Sequence, residues 1–226
     1  MNFSLICIVF LGCISLASAK ECIDGVDNVI ALHDLHNKKG SISFNDLKMQ
    51  TYDAKLRPTC DAIHIPGYFK IASGEIEIVE PLHESEDSLR LELTIEQNSF
   101  MVGQVCEKGE SKNAFIPNEV CNFDLCSLME DFCKLFETKG VFGIKDLPVD
   151  YRDFIAIGPV TIPQVEGEWK AELAITQTGK AKAGVRLGDG LEDSWTYLKL
   201  GSDDDIKAYE ETEKKRKEGA IPKEEL

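Results

Sequence analysis

Apolar and polar residues alternate along most of the chain from Tyr68 onward, and this pattern predicts β-strands. The clearest segment is 89–96, whose apolar residues fall on one face: Leu89, Leu91, Leu93 and Ile95. Segments of the same kind are 74–79, 154–157, 169–175 and 182–187. Turn-forming pairs such as Pro66-Gly67 and Thr178-Gly179 punctuate them. Short strands with regular turns predict a mainly β fold, an antiparallel β-sandwich or β-cup.

Three stretches depart from this alternation. Residues 125–136 carry apolar side chains at spacings of three and four, which predicts a short helix after Asp124 as its N-cap. Residues 26–36 are also predicted to be helical. After Leu200 the chain becomes strongly polar, so we expect one domain at 20–200 followed by a charged, partly helical, solvated tail at 201–226.

The beginning of the chain has the features of a secretory signal. An apolar run at 5–16 ends in Ala17-Ser18-Ala19, which predicts cleavage before Lys20. An uncleaved anchor is the alternative, but the run is shorter than the ~20 residues that span a bilayer. Cleavage leaves an even set of cysteines, which are Cys22, Cys60, Cys106, Cys121, Cys126 and Cys133. In an oxidising compartment this set favours three disulfides over zinc ligation.

The spacing of the cysteines constrains their pairing. Cys106 and Cys121 bracket a loop whose closure would stabilise the fold by about 3 kcal/mol, so we expect this pair to be bridged. Cys126 and Cys133 on one straight helix would lie about 10 Å apart, whereas a disulfide tolerates ~7 Å between Cα atoms. These two cysteines therefore need other partners, or the helix must be broken.

Charge and motifs narrow the classes of function. The formal net charge of −15 disfavours nucleic acid as a partner. The sequence has no Walker, dinucleotide-binding or Gly-x-Ser-x-Gly motif, so we expect a protein that is not an enzyme and has no cofactor. His33 and His36 would lie one helical turn apart and could share a divalent ion. A third ligand is missing nearby, so surface histidines are the favoured interpretation.

Several segments resemble a known family. They are Cys22 to Gly25, Ile65-Pro66-Gly67, Val105-Cys106, Val120 to Glu130, Ile162 to Glu172 and Thr178-Gly179-Lys180. Together they resemble the lysosomal ganglioside activator and its lipid-recognition (ML) relatives over most of residues 22–190. The chain lacks the family's cysteine near the last strand, at 183–187, so the cysteines other than Cys106 and Cys121 must pair by a different scheme.

The resemblance implies a β-sandwich opened into a cup around an apolar cavity that accepts acyl chains. The cavity wall would be formed by Leu91, Leu93, Trp169, Leu173 and Ile175. The cavity mouth would be lined by Phe132, Leu135 and Phe136. Phe115, Ile116 and Pro117 would form an apolar loop tip that touches membrane. The alternative is that all these side chains fill a closed core.

The sequence thus predicts a secretory-pathway protein that binds or transfers lipid or glycolipid, with transient membrane contact and a luminal hydrolase as a candidate partner. We expect it to be secreted or lysosomal. The terminal residues Lys223, Glu224, Glu225 and Leu226 resemble the Lys-Asp-Glu-Leu retention signal. They support the alternative of an interaction or folding factor retained in the lumen of the endoplasmic reticulum.

Overall fold

A computed structural model of the chain describes residues 21–83, 88–114, 116–159, 166–188 and 194–219. Its strands are Val29–Asp34 (β1), Ile42–Asp53 (β2), Ile63–Ile65 (β3), Gly67–Ile78 (β4), Arg90–Gln97 (β5), Gln104–Glu107 (β6), Glu110–Ser111 (β7), Asn122–Asp124 (β8), Gly140–Gly143 (β9), Ile155–Ile157 (β10), Gly167–Gln177 (β11), Lys180–Leu187 (β12) and Thr196–Leu200 (β13). Its α-helices are Leu125–Leu128 (α1), Glu130–Phe136 (α2) and Asp203–Lys217 (α3). The predicted mainly β fold is confirmed. The predicted signal at 1–19 lies outside the described residues.

The strands form two largely antiparallel halves that share β1. Residues 29–31 of β1 pair with β2, and residues 32–34 pair with β12. The first half continues from β2 to β4, and the second from β12 through β11 to β5. Pairing between β3 and β13 is parallel. Because β1 takes part in both halves, the sheet folds over on itself and its inner faces meet as a sandwich.

The main core lies between the two halves. Apolar residues of β2 and β4 meet those of β5 and β11 and are covered by α1 and α2. The largest contributors that are almost completely buried are Ile42, Ile78, Leu82, Leu89, Leu125 and Leu147. A second cluster surrounds the disulfide of Cys106 and Cys121. A third cluster joins Tyr52, Tyr68 and Phe154.

The sandwich has two distinct ends, which β5 connects. At its start β5 pairs with Asp124, immediately before α1, so we name this the helix end. After its last residue, β5 continues into the loop 98–103 that connects it to β6, and we name this end of the sandwich the hairpin end.

The strands predicted from alternation at 89–96, 154–157, 169–175 and 182–187 correspond to β5, β10, β11 and β12. The segment 74–79 is the second part of β4, which begins much earlier, at Gly67. Thr178 and Gly179 join β11 to β12 with φ values of 52° and 70°. Positive φ at both central residues is typical of the tight turn that suits the twist of a hairpin.

The predicted helix at 26–36 is wrong, because residues 29–34 form β1. Val29 and Ile30 are β-branched and fit a strand, and β1 gains ladder hydrogen bonds to β2 and β12 that local sequence cannot reveal. The preceding turn is closed by Asn28, whose side chain accepts from the Gly25 N–H at 2.8 Å. Long-range pairing therefore outweighs the local helical spacing.

The charged tail forms α3, which packs on the outer side of the first half of the sheet. Ser202 and Asp205 make a reciprocal capping box at its start. The Tyr209 ring lies 5.4 Å from that of Tyr68, and the Thr212 hydroxyl donates to the Ala54 carbonyl at 3.0 Å. One face of α3 thus packs on the domain, so this part of the tail is not wholly solvated as predicted. The four retention-like residues at 223–226 lie outside the described residues.

Candidate functional site

Three disulfides stabilise the fold, as predicted from the cysteine count. They join Cys22 to Cys60, Cys106 to Cys121, and Cys126 to Cys133. The predicted Cys106–Cys121 pair is confirmed. Cys22–Cys60 and Cys126–Cys133 are pairings that the sequence did not determine.

The Cys126–Cys133 disulfide is compatible with a helix only because the helix is broken. The predicted single helix at 125–136 is divided at Met129, whose φ and ψ are −141° and 64°. This break brings the Cα atoms of Cys126 and Cys133 to 5.4 Å, against about 10 Å on a straight helix. The helix is therefore broken, and Cys126 and Cys133 bond to each other and not to other partners.

Asp124 is the N-cap of α1, as predicted. Its carboxylate accepts from the Ser127 N–H at 2.8 Å, and this hydrogen bond holds the pKa of Asp124 below its usual value. The cap fixes where α1 begins, directly after β8.

The five residues predicted to form a cavity wall share one inner face of the second half of the sheet. In the pairing of β5 with β11, Leu91 lies opposite Ile175, and Leu93 lies opposite Leu173. Trp169 lies opposite Gln97, toward the hairpin end. Inward positions from 91 to 95 of β5 and from 169 to 175 of β11 are apolar: Leu91, Leu93, Ile95, Trp169, Ala171, Leu173 and Ile175. Gln97, the last residue of β5 on the same face, is polar and only 6% exposed.

Burial along this inner face is uneven. At the helix end, Leu91 and Ile175 are only 6% and 3% exposed. In the middle, Leu93 and Leu173 are only partly buried, as are their neighbours Ile95 and Ala171. At the hairpin end, Trp169 is only 8% exposed. The face is therefore covered at both ends and partly open in its centre, which we name the central apolar face.

The three α2 residues predicted to line a cavity mouth have two different environments. Phe132 and Phe136 are buried in the main core, with ring centroids 5.8 Å apart. Leu135 lies on a surface groove of about 480 Å³ between α2 and residues 146–152. Buried Leu147 also lines this groove. The groove thus reaches the main core from outside.

The predicted apolar loop tip at 115–117 is described only in part, and Pro117 is exposed. Ile116 is partly buried against the Cys106–Cys121 cluster, and Phe115 lies outside the described residues. A second loop, between β5 and β6, exposes large apolar residues: Phe100 is fully exposed and Met101 is 80% exposed. Two large apolar residues between strands, followed by Gly103, were a sequence signal that alternation alone did not reveal.

The two histidines considered as metal ligands do not share a helical face, because His33 lies in β1 and His36 in the turn after it. Within the described ranges, no group of three His, Cys, Asp or Glu side chains is placed to hold a metal ion. No helix in the described part of the chain is long and apolar enough to cross a membrane.

A comparison with protein-family models finds no match to this chain, and a comparison with curated proteins finds no significant match.

Proposed function

We propose that this chain is a lipid-binding protein of the secretory pathway that holds an acyl chain on its central apolar face. The observation that carries the proposal is the partial exposure of Leu93 and Leu173 on the inner side of a sandwich. Apolar surface that faces inward yet stays partly open can be covered by a ligand. The resemblance of the cysteine segments to lipid-recognition proteins supports the same class of ligand.

Burial of an acyl chain is energetically suited to this face. Each methylene removed from water contributes about 0.8 kcal/mol. The inward side chains at 91–95 and 169–175 carry no carbonyl, carboxylate or hydroxyl that would need a hydrogen bond, and Gln97 at the hairpin end already donates to the Glu166 carbonyl at 3.1 Å. Leu91 and Ile175 close the face at the helix end, where Phe132 and Phe136 pack beside them. Trp169 closes it at the hairpin end, where it is buried in the second core cluster. A chain would therefore enter at the centre, with its headgroup outward.

The hairpin end would make the transient membrane contact. Phe100 and Met101 project into solvent there, and such a pair can enter the interfacial region of a bilayer. Three disulfides favour an extracellular or luminal location, where oxidising conditions preserve them. A luminal hydrolase that acts on the bound lipid is the partner we propose.

Filling the central apolar face tests the proposal. Leu173→Trp adds bulk where the acyl chain would lie, so binding of a fluorescent fatty-acyl probe should weaken by about tenfold, or ~1.4 kcal/mol. Val141→Trp is the matched control, because Val141 is exposed on β9 at the helix end. Near-native circular dichroism of both variants would show that each still folds.

Mass spectrometry of lipid extracted from protein purified from its native source provides the direct measurement. Co-purifying acyl lipid in the unmodified protein, reduced in Leu173→Trp, is the expected result. Equal probe binding by both variants, together with the absence of bound lipid, would overturn the proposal.

A further inference from the structure

A second concave site lies near the hairpin end, on the outer side of β13. This groove of about 190 Å³ lies where the N-terminal turn, the end of β2 and β13 meet. Its lining includes Asp27, Thr59, Asp61, Trp195 and Tyr197. We infer that this groove, which we name the aromatic groove, binds a small organic cation of the quaternary ammonium class.

The aromatic groove is separate from the central apolar face. Leu198 and Leu200 of β13 pack with Trp169 in the second core cluster. Tyr197 alternates with Leu198 along the strand and is exposed, so it lies on the other side of β13. The inference therefore does not depend on the proposal of lipid binding.

The wall of the groove is held rigidly by buried hydrogen bonds. The Asn28 amide donates to the Thr51 carbonyl at 3.1 Å, and the Thr59 hydroxyl donates to that of Thr51 at 3.0 Å. The Cys22–Cys60 disulfide attaches the same wall to the N-terminal segment. Such a site is formed before a ligand arrives, so little conformational entropy is lost on binding.

Aromatic rings supply the attraction for a cation. Trp195 and Tyr197 are two residues apart and both line the groove. The ring face of tryptophan is the strongest cation–π partner among side chains. The protein itself places an ammonium on this ring, since Lys170 Nζ lies 4.4 Å from the Trp195 centroid. Lys170 is not among the residues lining the groove, so its ammonium occupies the ring from outside the groove, and a bound cation would contact the part of the Trp195 ring that lines it.

The charged side chains that line the groove favour a ligand of positive charge. Asp27 and Asp61 contribute carboxylates, and none of the described residues that line the groove is lysine or arginine. A phosphate or carboxylate ligand would thus be repelled. The whole chain adds to this field with its formal net charge of −15.

The hydroxyl groups of the lining argue against a sugar as the preferred ligand. The Thr51 and Thr59 hydroxyls already bond to each other, and Thr51 also donates to the Thr59 carbonyl at 3.1 Å. What the groove offers outward is ring surface and negative charge. This combination matches an ammonium ion better than a polyhydroxylated ring.

Titration calorimetry with choline tests the inference, with 3,3-dimethyl-1-butanol as its uncharged isostere. Choline should bind saturably and the isostere at least about tenfold more weakly, because only the cation gains from the rings and carboxylates. Trp195→Ala and Asp61→Asn should each weaken choline binding severalfold. Glu168→Gln is the control, since Glu168 is a carboxylate of the neighbouring strand β11 that does not line the groove.

Glycerophosphocholine distinguishes the source of the cation. Binding equal to that of choline would indicate a lipid headgroup, and weaker binding would indicate a free or side-chain ammonium; both results support the inference. Equal binding of choline and its isostere would overturn it, as would saturable binding of glucose without choline binding. No saturable choline binding by the folded, unmodified protein would also overturn it.

Discussion

Arg216 connects α3 to the sheet through several of its atoms. Its guanidinium lies 5.3 Å from the Tyr68 ring centroid and donates to the Phe154 carbonyl at 2.6 Å. It also pairs with Glu213 at 2.8 Å. Burial raises the pKa of Tyr68, so this phenol stays neutral beneath the helix. One side chain thus combines a cation–π contact with charge-assisted hydrogen bonds.

Replacing Arg216 should therefore weaken the whole fold and not only the helix. We expect Arg216→Gln to lower the free energy of unfolding by about 1–2 kcal/mol, since the ring contact is lost and the Phe154 carbonyl loses its donor. Urea unfolding followed by fluorescence measures the change. Lys215→Gln is the control on the exposed side of α3, and an equal loss in both variants would contradict the role given to Arg216.

Among the elements, β5 and β11 could be predicted from sequence and β1 could not. The alternation at Leu89 to Ile95 depends only on one buried face, whatever strand pairs with it. Residues 29–34 form the strand β1 because they pair with β2 and β12, and β12 is distant in the chain. Local spacing therefore led to the wrong prediction of a helix. The break at Met129 likewise follows from a covalent link that spacing left undecided.

Removing the link between α1 and α2 should change their geometry. In a Cys126→Ser, Cys133→Ser double variant, we expect the free energy of unfolding to fall by about 2.5 kcal/mol, from the loss of a short closed loop. Helical signal in far-ultraviolet circular dichroism should not decrease, because the two helices are then free to join. The Cys106→Ser, Cys121→Ser variant is the comparison, and a loss of helical signal confined to the first variant would contradict this account.

The stability of the contact between β3 and β13 should decrease in acid, because His64 of β3 lies opposite Lys199 of β13. Burial, and then the charge of neighbouring Lys199, lower the pKa of His64 from 6.5, whereas Asp53, Asp61 and Asp205 oppose this shift. The folded state thus favours neutral His64. Its contribution to stability is present above pH 6.5 and is lost as the pH falls through the lowered pKa.

His64→Gln should consequently reduce the drop in melting temperature between pH 7 and more acidic buffers. Thermal unfolding over that interval measures the effect as a difference from the unmodified protein. His33→Gln is the control, because His33 is exposed on β1. An unchanged acid sensitivity in His64→Gln would contradict the assignment.

For the whole molecule, sequence reasoning predicted the sandwich and one face of the candidate site. Leu91, Leu93, Leu173 and Ile175 lie together because period-two spacing determines the side of a strand on which they project. The exposed tip at Phe100 was missed, since exposure depends on how far a loop extends beyond its neighbours. The aromatic groove could not be foreseen, because it joins the N-terminal turn to β13.

The location of the protein in the cell is tested by its last residues. If Lys223 to Leu226 are read as a retention signal, deleting them should move the protein from cell lysate to medium. Adding one glycine after Leu226 should have the same effect, because such a signal must be terminal. Ile221→Ala is the control and should leave retention unchanged. Unchanged retention in both the deletion variant and the added-glycine variant would contradict a retention role.

The sharing of β1 between both halves also determines how the sandwich can open. Hydrogen bonds continue from β2 through β1 into β12, so β1 is the strand along which the two halves of the sandwich are joined. The two halves cannot separate at β1 without breaking these backbone hydrogen bonds. Any widening that admits a guest must therefore occur away from β1, and also away from the pairing of β3 with β13, which links the start of β4 to β11.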